Sequence, residues 1–407
     1  MCCQSWGGYW MNEYEIKHIH DIVKDSFWIM PQTPTFINSG IPYITSKNIK
    51  NETISFKNIS YISESDYRAI SNSRPIEIGD VLISMIGTLG EIAEVKKEHG
   101  EFYGQNMFLL RLNNEIIDKR FFFNYFKSDI AKICINQSHN KSTQKYLKAN
   151  HILEMNIPLP PLETQKQIAA NLDKVTHTID LCNAILEKLD MLVKARFVEM
   201  FGDPVTNPHK WEKVNISTVV GGKVSNGFFA KRDEYCDNGN VKVLGVANIV
   251  NRMYSNIEEL PQTNGSNADI EKYGVKYGDM LFCRSSLVAT GIGKASIVPK
   301  EVPSNVLFEC HVIRLPLNLT KCVPEFMQVL STTDYFRNQV ISQSKTATMT
   351  TIGQDGILKS EIILPPLELQ KQFLMFVEQT DKSKSAVKQV LEKAETLKKA
   401  LMQEYFG

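Results

Sequence analysis

The sequence has no unbroken apolar run approaching the roughly 18 residues that a membrane-crossing helix needs, so no span is expected. It has almost no net charge: 46 Lys and Arg stand against 45 Asp and Glu, a sum of +1. Such a sum gives the whole chain no electrostatic pull toward nucleic acid, although it can hide a local patch. There is no C-x-x-C pair among the eight cysteines, Cys2, Cys3, Cys134, Cys182, Cys236, Cys283, Cys310 and Cys322. That scatter excludes a recognisable zinc or disulfide framework and fits the reduced thiols of a cytoplasmic protein. Met1 to Trp10 carries no charge and lacks the flanks of a secretory signal, so it is expected to be a loose extension. The ordinary remainder, 43% hydrophobic and 22% charged over 407 residues, points to a globular protein of two or three domains.

Catalytic signatures are also missing. Gly291-Ile292-Gly293-Lys294 contains a Gly-Lys step, but Val288 replaces the first glycine of a phosphate-binding loop and Ala295 replaces its Ser or Thr. An adenine-methylating enzyme would hold its flipped base in an Asn/Asp-Pro-Pro-aromatic loop. The two Pro-Pro pairs here are flanked by leucines instead. Asp80 with Glu94 and Lys96 imitates a metal nuclease, but the second half of the chain carries Ser296 and Val298 where Glu94 and Lys96 stand in the first. The eight histidines, His18 and His20 among them, show no H-E-x-x-H or comparable ligand spacing, so no metal site is expected.

What the sequence does contain is a repeat. Pro160-Pro161-Leu162-Glu163-Thr164-Gln165-Lys166-Gln167 returns 205 residues later as Pro365-Pro366-Leu367-Glu368-Leu369-Gln370-Lys371-Gln372. Aligned without gaps, 160–202 and 365–407 are identical at 16 of 43 positions. Upstream, Gly79-Asp80-Val81-Leu82 echoes Gly278-Asp279-Met280-Leu281, and Asn48-Ile49 echoes Asn248-Ile249. The chain therefore divides into a variable segment 1–157, a conserved segment 158–202, a second variable segment 203–362 and a second conserved segment 363–407.

The conserved segments read as helices of roughly 35–40 residues, about 50–60 Å long. In the first, Ile168, Leu172, Val175, Ile179, Cys182, Leu186, Leu189 and Val193 form an a/d seam. Gly202 and Pro204 stop it. In the second, Phe373, Val377, Val387, Leu391, Ala394 and Leu401 take the matching places, interrupted by Thr380, Lys384 and Lys398. Two such seams in one chain would most simply pack on each other, with the polar positions fixing register or facing a third protein. The variable segments read as α+β. Strands are expected at 41–44, 81–86, 92–95 and 107–112, then at 241–246, 279–283, 295–298 and 312–315. One helix is expected in each copy, at 121–133 and at 324–341.

Two variable domains alternating with two similar helices, each introduced by Leu-Pro-Pro-Leu-Glu-x-Gln-Lys-Gln, resemble the specificity subunit of type I restriction–modification enzymes. The likeness runs from about Asn12 to Gly407. It implies two α/β target-recognition domains separated by two long helices packed as an antiparallel coiled coil, with a pseudo-two-fold internal repeat. It further implies that each variable domain reads one half of a bipartite, asymmetric sequence on double-stranded DNA. The helices would set the gap between half-sites and dock two modification subunits. Such a subunit has no catalytic site of its own and binds no cofactor directly. S-adenosylmethionine, ATP and Mg are expected on the modification and restriction subunits. The rival reading is a coiled-coil scaffold protein without DNA sequence specificity.

Phosphates call for Lys and Arg, base edges for Asn, Gln, Arg, Ser and Thr. On that chemistry the first domain offers Thr45, Ser46, Lys47 and Asn48 after a strand, Thr88 in the Gly87–Gly90 turn, and Gln105 with Asn106 before a strand. It also offers a polar basic loop containing Asn140, Lys141, Ser142, Thr143 and Lys145. The second offers Lys231, Arg232, Asn248, Arg284, Ser285, Ser286, Thr290, Ser344, Lys345 and Thr346. Between Lys119 and Lys148 seven basic residues meet only one acid, Asp129, which marks the expected local patch.

Overall fold

The structure is a computed structural model that describes residues 14–137 and 146–407. The chain forms two compact units, Met1–Asn183 with Gln389–Gly407, and Ala184–Lys388. The expected helices are present as Leu162–Phe201 and Leu367–Phe406, 40 residues each. Each unit holds part of both. Among the described residues no helix is long and apolar enough to cross a membrane.

The two units share one topology. In the first, Val23–Ile29, Met107–Leu112, Val81–Ser84 and Ile92–Glu94 make an antiparallel sheet in that order. In the second, Ser225–Asn226, Val312–Pro316, Asp279–Cys283 and Ala295–Ile297 repeat it. A three-stranded sheet follows in each, with Ile41–Thr45 parallel to Tyr103–Gln105 and Val241–Leu244 parallel to Val306–Phe308. The strand leading into each long helix, Asn156–Leu159 or Glu361–Leu364, pairs with the first strand of its own unit, Glu15–His18 or Glu212–Asn215.

The Gly-Asp echo has a local cause. Gly79 and Gly278 sit at φ 97° and 96°, a region favourable to glycine. The following carboxylates, both 1% exposed, accept from the Glu77 and Lys276 amides at 2.7 and 3.0 Å. Asp80 is also clamped by Arg111 at 2.8 and 2.9 Å, and Glu94 by Lys119 at 2.5 Å, so the nuclease-like pair is spent on ion pairs.

The expected single helices each prove to be two. Lys119–Phe126 and Asp129–Gln137 are separated by Ser128, whose hydroxyl accepts from the Ala131 amide. Pro324–Thr332 and Asp334–Ser342 are separated by Thr333, which is extended and accepts from Phe336. A hydroxyl at an N-cap offers the backbone a fresh start, and the apolar pattern runs on across the break unchanged.

The seam residues are buried or half-buried throughout. In the first unit Ile168 and Leu172 near the start of one helix share a core with Phe406 at the end of the other, whose ring lies 5.2 Å from Phe121 and 5.8 Å from Tyr125. In the second, Phe197 and Phe201 close on Phe373 and Phe326 with ring centroids 4.8–5.7 Å apart. Start meets end in both units, so the helix segments are antiparallel within each. Thr380 turns its hydroxyl onto the Phe376 carbonyl, and Lys384 reaches Asp190 at 2.7 Å, a register pair within the second unit.

The repeated glutamine explains the motif. Gln165, 0% exposed, accepts from the Asp118 amide at 2.8 Å and donates to the carbonyls of Ile116 and Pro160 at 3.0 and 2.8 Å. Gln370, also 0% exposed, repeats this with Val323, Lys321 and Pro365 at 2.9, 3.4 and 2.8 Å. Each amide ties the start of the long helix to the loop before Lys119–Phe126 or Pro324–Thr332. Replacing Gln370 by Leu strands three backbone groups, so Q370L should destabilise the second unit by about 2–4 kcal/mol. Exposed Gln372→Ala should stay within about 0.5 kcal/mol. Urea unfolding with separate probes in each unit measures both, and a silent Q370L would sink the account.

Candidate nucleic-acid interface

In each unit the parallel strand pair ends at one place, and three connections converge there. In the first unit these are the turn after Ile41–Thr45, the turn after Val81–Ser84, and the step from Tyr103–Gln105 into Met107–Leu112. Ser46 donates to the Asn106 carbonyl and accepts from the Met85 amide, which also donates to Asn106 at 3.2 Å. Asn106 adopts φ 64°, which Asn tolerates, and turns the chain into the next strand. Thr45, Lys47, Thr88 and Gln105 surround this junction. Buried Tyr43, its hydroxyl pushed up to about 12 by burial, stays neutral and donates to Gln105 at 3.5 Å.

The second unit builds the same junction from Gly245–Asn248, Arg284–Thr290 and Glu309–Cys310. Val246 donates its amide to Glu309 at 2.8 Å, and Arg284 donates to the Cys310 carbonyl at 3.2 Å. Here the structure joins residues that the sequence holds about 65 positions apart. Ser285–Ser286 pairs with Thr350–Thr351, which pairs in turn with Lys345–Thr346, so the two expected loops form one small sheet. The Thr346 and Thr350 hydroxyls lie 3.0 Å apart. Arg337 stitches the Thr290 and Ile292 carbonyls at 3.1 and 2.5 Å. Its guanidinium is held below its ordinary value by burial.

Several expected contact residues are used inside the fold instead. Asn48 accepts from the Thr45 amide at 3.0 Å and donates to Ser55 and Lys57, leaving its amide no spare group for a base. Asn248 plays the same capping part toward Gly245 at 3.0 Å. Ser46 is 6% exposed and points inward, and Ser344 donates to Ile341 at 2.7 Å at a helix end. Polar type and loop position could not separate a capping Asn from a reading Asn.

Four of the seven residues of the expected basic patch are paired, while Lys148 is exposed and forms no ion pair among the described residues. Lys119 pairs with Glu94, Arg120 with Glu52 and Asp173, Lys127 with Glu52, and Lys132 with Asp129. Lys141 and Lys145 fall with Asn140, Ser142 and Thr143 outside the described residues, as does the opening Met1–Trp10. By contrast, Lys47, Lys231, Arg232 and Lys345 are exposed and form no ion pair among the described residues. Lys231 and Arg232 lie on the segment after Phe228, whose amide donates to Phe308 at 2.7 Å.

Sequence reasoning missed Glu309, an acid in an otherwise polar-basic set, and three exposed apolar tips. Leu287 is 83% exposed, Phe229 68% and Val288 61%. Leu287 and Val288 stand between Ser286 and Thr290, so the polar set carries an apolar point at its centre. A large apolar side chain so exposed in a turn was the available signal.

Known proteins resemble this arrangement. The profile of the type I restriction modification DNA specificity domain matches twice, at residues 11–191 and 208–396. The EcoKI specificity subunit of Escherichia coli K12 is 24% identical over 83% of this chain and 75% of its own length. The MjaVIII specificity subunit of Methanocaldococcus jannaschii is 24% identical over 96% and 91%. In fold, the S subunit of a type I restriction–modification system from M. genitalium aligns with a TM-score of 0.56 at 13% identity, over 97% of this chain and 96% of that one. A chain from a study of type I R-M complex assembly aligns equally well, at 0.56 and 15% identity over 97% of each. With both halves matched by one profile, the chain belongs to the type I restriction–modification DNA specificity family.

Proposed function

We propose that this chain is the sequence-reading subunit of a type I restriction–modification assembly, each unit reading one half of a bipartite, asymmetric site on double-stranded DNA. One observation carries the reading: two copies of a single scaffold present different side chains at the same junction. The first copy offers Thr45, Thr88 and Gln105, the second Arg284, Ser286 and Glu309. Gln suits adenine, Arg suits guanine, and Glu accepts from the amino group of cytosine. Leu287 and Val288 suit a thymine methyl or a wedge between bases. Lys47, Lys231, Arg232 and Lys345 neutralise phosphates. With no basic surplus of its own, the chain shares the backbone grip with its partners.

The 40-residue helices, about 60 Å each, serve as the spacer between half-sites. They also expose apolar residues, among them Met191 at 68%, Met375 at 63% and Val198 at 52%, which suits docking of two modification subunits. Those subunits supply S-adenosylmethionine and adenine methylation. Restriction subunits supply ATP- and Mg-dependent cleavage. This chain contributes recognition and no chemistry.

Coexpressed with its modification subunit, the chain should impose one bipartite N6-methyladenine motif on host DNA, read by methylation-aware sequencing. A complex that forms without a motif would leave the scaffold reading standing. Removing one heptad from 168–200 together with its counterpart in the second helix should shorten the unread gap or abolish methylation, and an unchanged gap would rule out the spacer role. Within the assembled methyltransferase, Arg284→Ala should cost about 1–3 kcal/mol of binding and relax one motif position. Lys345→Ala should weaken binding to all sequences alike and lower the salt slope by about 0.9. Asn48→Ala should lower the melting temperature and leave the motif unchanged.

A further inference from the structure

We propose that His18, His20 and Glu154 form a site for a first-row divalent cation, zinc foremost, on the first unit. One ligand atom from each residue lies within 4.8 Å of the others. Ligands about 2.0–2.2 Å from a zinc ion sit roughly 3–4 Å apart, so small side-chain rotations close the set. Two imidazoles and a carboxylate match the open three-ligand zinc sites, with water completing the shell.

Polar contacts around the pair already order it. His18 Nδ1 lies 3.1 Å from the Glu154 carbonyl oxygen, and His20 Nδ1 lies 3.1 Å from the Asp21 carboxylate. The carbonyl acceptor requires the proton on His18 Nδ1, which leaves the Nε2 lone pair of that ring for a cation. Asp21 also accepts from the His18 amide at 3.0 Å, so one carboxylate steadies both histidines. The rings stack at 5.1 Å. The backbone beneath is fixed: His18 pairs with Asn156, and the Ile19 amide donates to Met155 at 3.0 Å. Ile19 and Ile22, both 0% exposed, anchor the turn that carries His20.

The internal repeat provides a control. In the second unit Asn215 pairs with Glu361 and the Ile216 amide donates to Ser360 at 2.9 Å, reproducing the frame. The positions of His18, His20 and Glu154 are there occupied by Asn215, Ser217 and Lys359, which cannot form such a site. The fold therefore does not require the two histidines and the glutamate. A bound cation would clamp the first strand to the segment that leads into the long helix.

The test uses the full chain and zinc ion in competition with a chromophoric chelator. The wild type should bind one more equivalent than the triple variant His18→Asn, His20→Ser, Glu154→Lys, whose residues the second frame already accommodates. Glu154→Gln alone should weaken that equivalent about tenfold. Zinc should raise the melting temperature of the wild type and not of the triple variant. Cobalt should give visible d–d bands without a thiolate charge-transfer band, separating this site from the cysteines. Equal stoichiometry and affinity in wild type and triple variant, or no binding by the wild type, overturns the proposal.

Discussion

The buried glutamine at each helix start is the constraint on which the rest is hung. Pro160-Pro161 and Pro365-Pro366 can begin a helix but bring no N–H donor to its first turn. Gln165 and Gln370 donate to the Pro160 and Pro365 carbonyls there and bind the helix to the loop ahead of Lys119–Phe126 or Pro324–Thr332. The long helix thereby inherits the orientation of the aromatic helix beside it. Phe121 and Phe326 then receive Phe406 and Phe201 from the opposite helix end. A side-chain amide that satisfies three backbone groups is intolerant of change, which accounts for the recurrence of this glutamine in both copies while the domains around it differ.

Much of this was legible in the sequence because it depends on period and repetition. A heptad seam over 168–193 has one physical solution, and a 205-residue offset with 16 identities in 43 announces two copies. Strand runs such as Met107–Leu112 were equally plain. The helix breaks at Ser128 and Thr333 were hidden because hydroxyl capping changes the backbone without disturbing the apolar pattern. The junction was half legible. Sequence picked out loops that the fold brings together, but the meeting of Ser285–Ser286 with Thr350–Thr351 depends on strand pairing across about 65 residues, and the capping duty of Asn48 depends on its carbonyl partners. Two of these uses look alike in composition and differ only in geometry.

Charge follows the same division. Lys119, Arg120, Lys127 and Lys132 looked like a DNA-facing patch by count, yet Glu52, Glu94, Asp129 and Asp173 absorb them. Counting basic residues along 119–148 could not register acids contributed from 52, 94 and 173. Lys47, Lys231, Arg232 and Lys345 are exposed without an ion pair among the described residues, as is Lys148 of the patch itself.

The division of the chain into units also sets an order of events during synthesis. Residues 184–388 are contiguous, so the second unit has all its parts as soon as that stretch leaves the ribosome. The first unit does not: its core includes Leu401, Met402 and Phe406, more than 200 residues after Leu172. Domains generally fold as they emerge, and contacts of long sequence separation form late. The first-made half of this chain is therefore the last to be finished. Until then the aromatic floor formed by Phe121 and Tyr125 lacks the Phe406 ring that covers it.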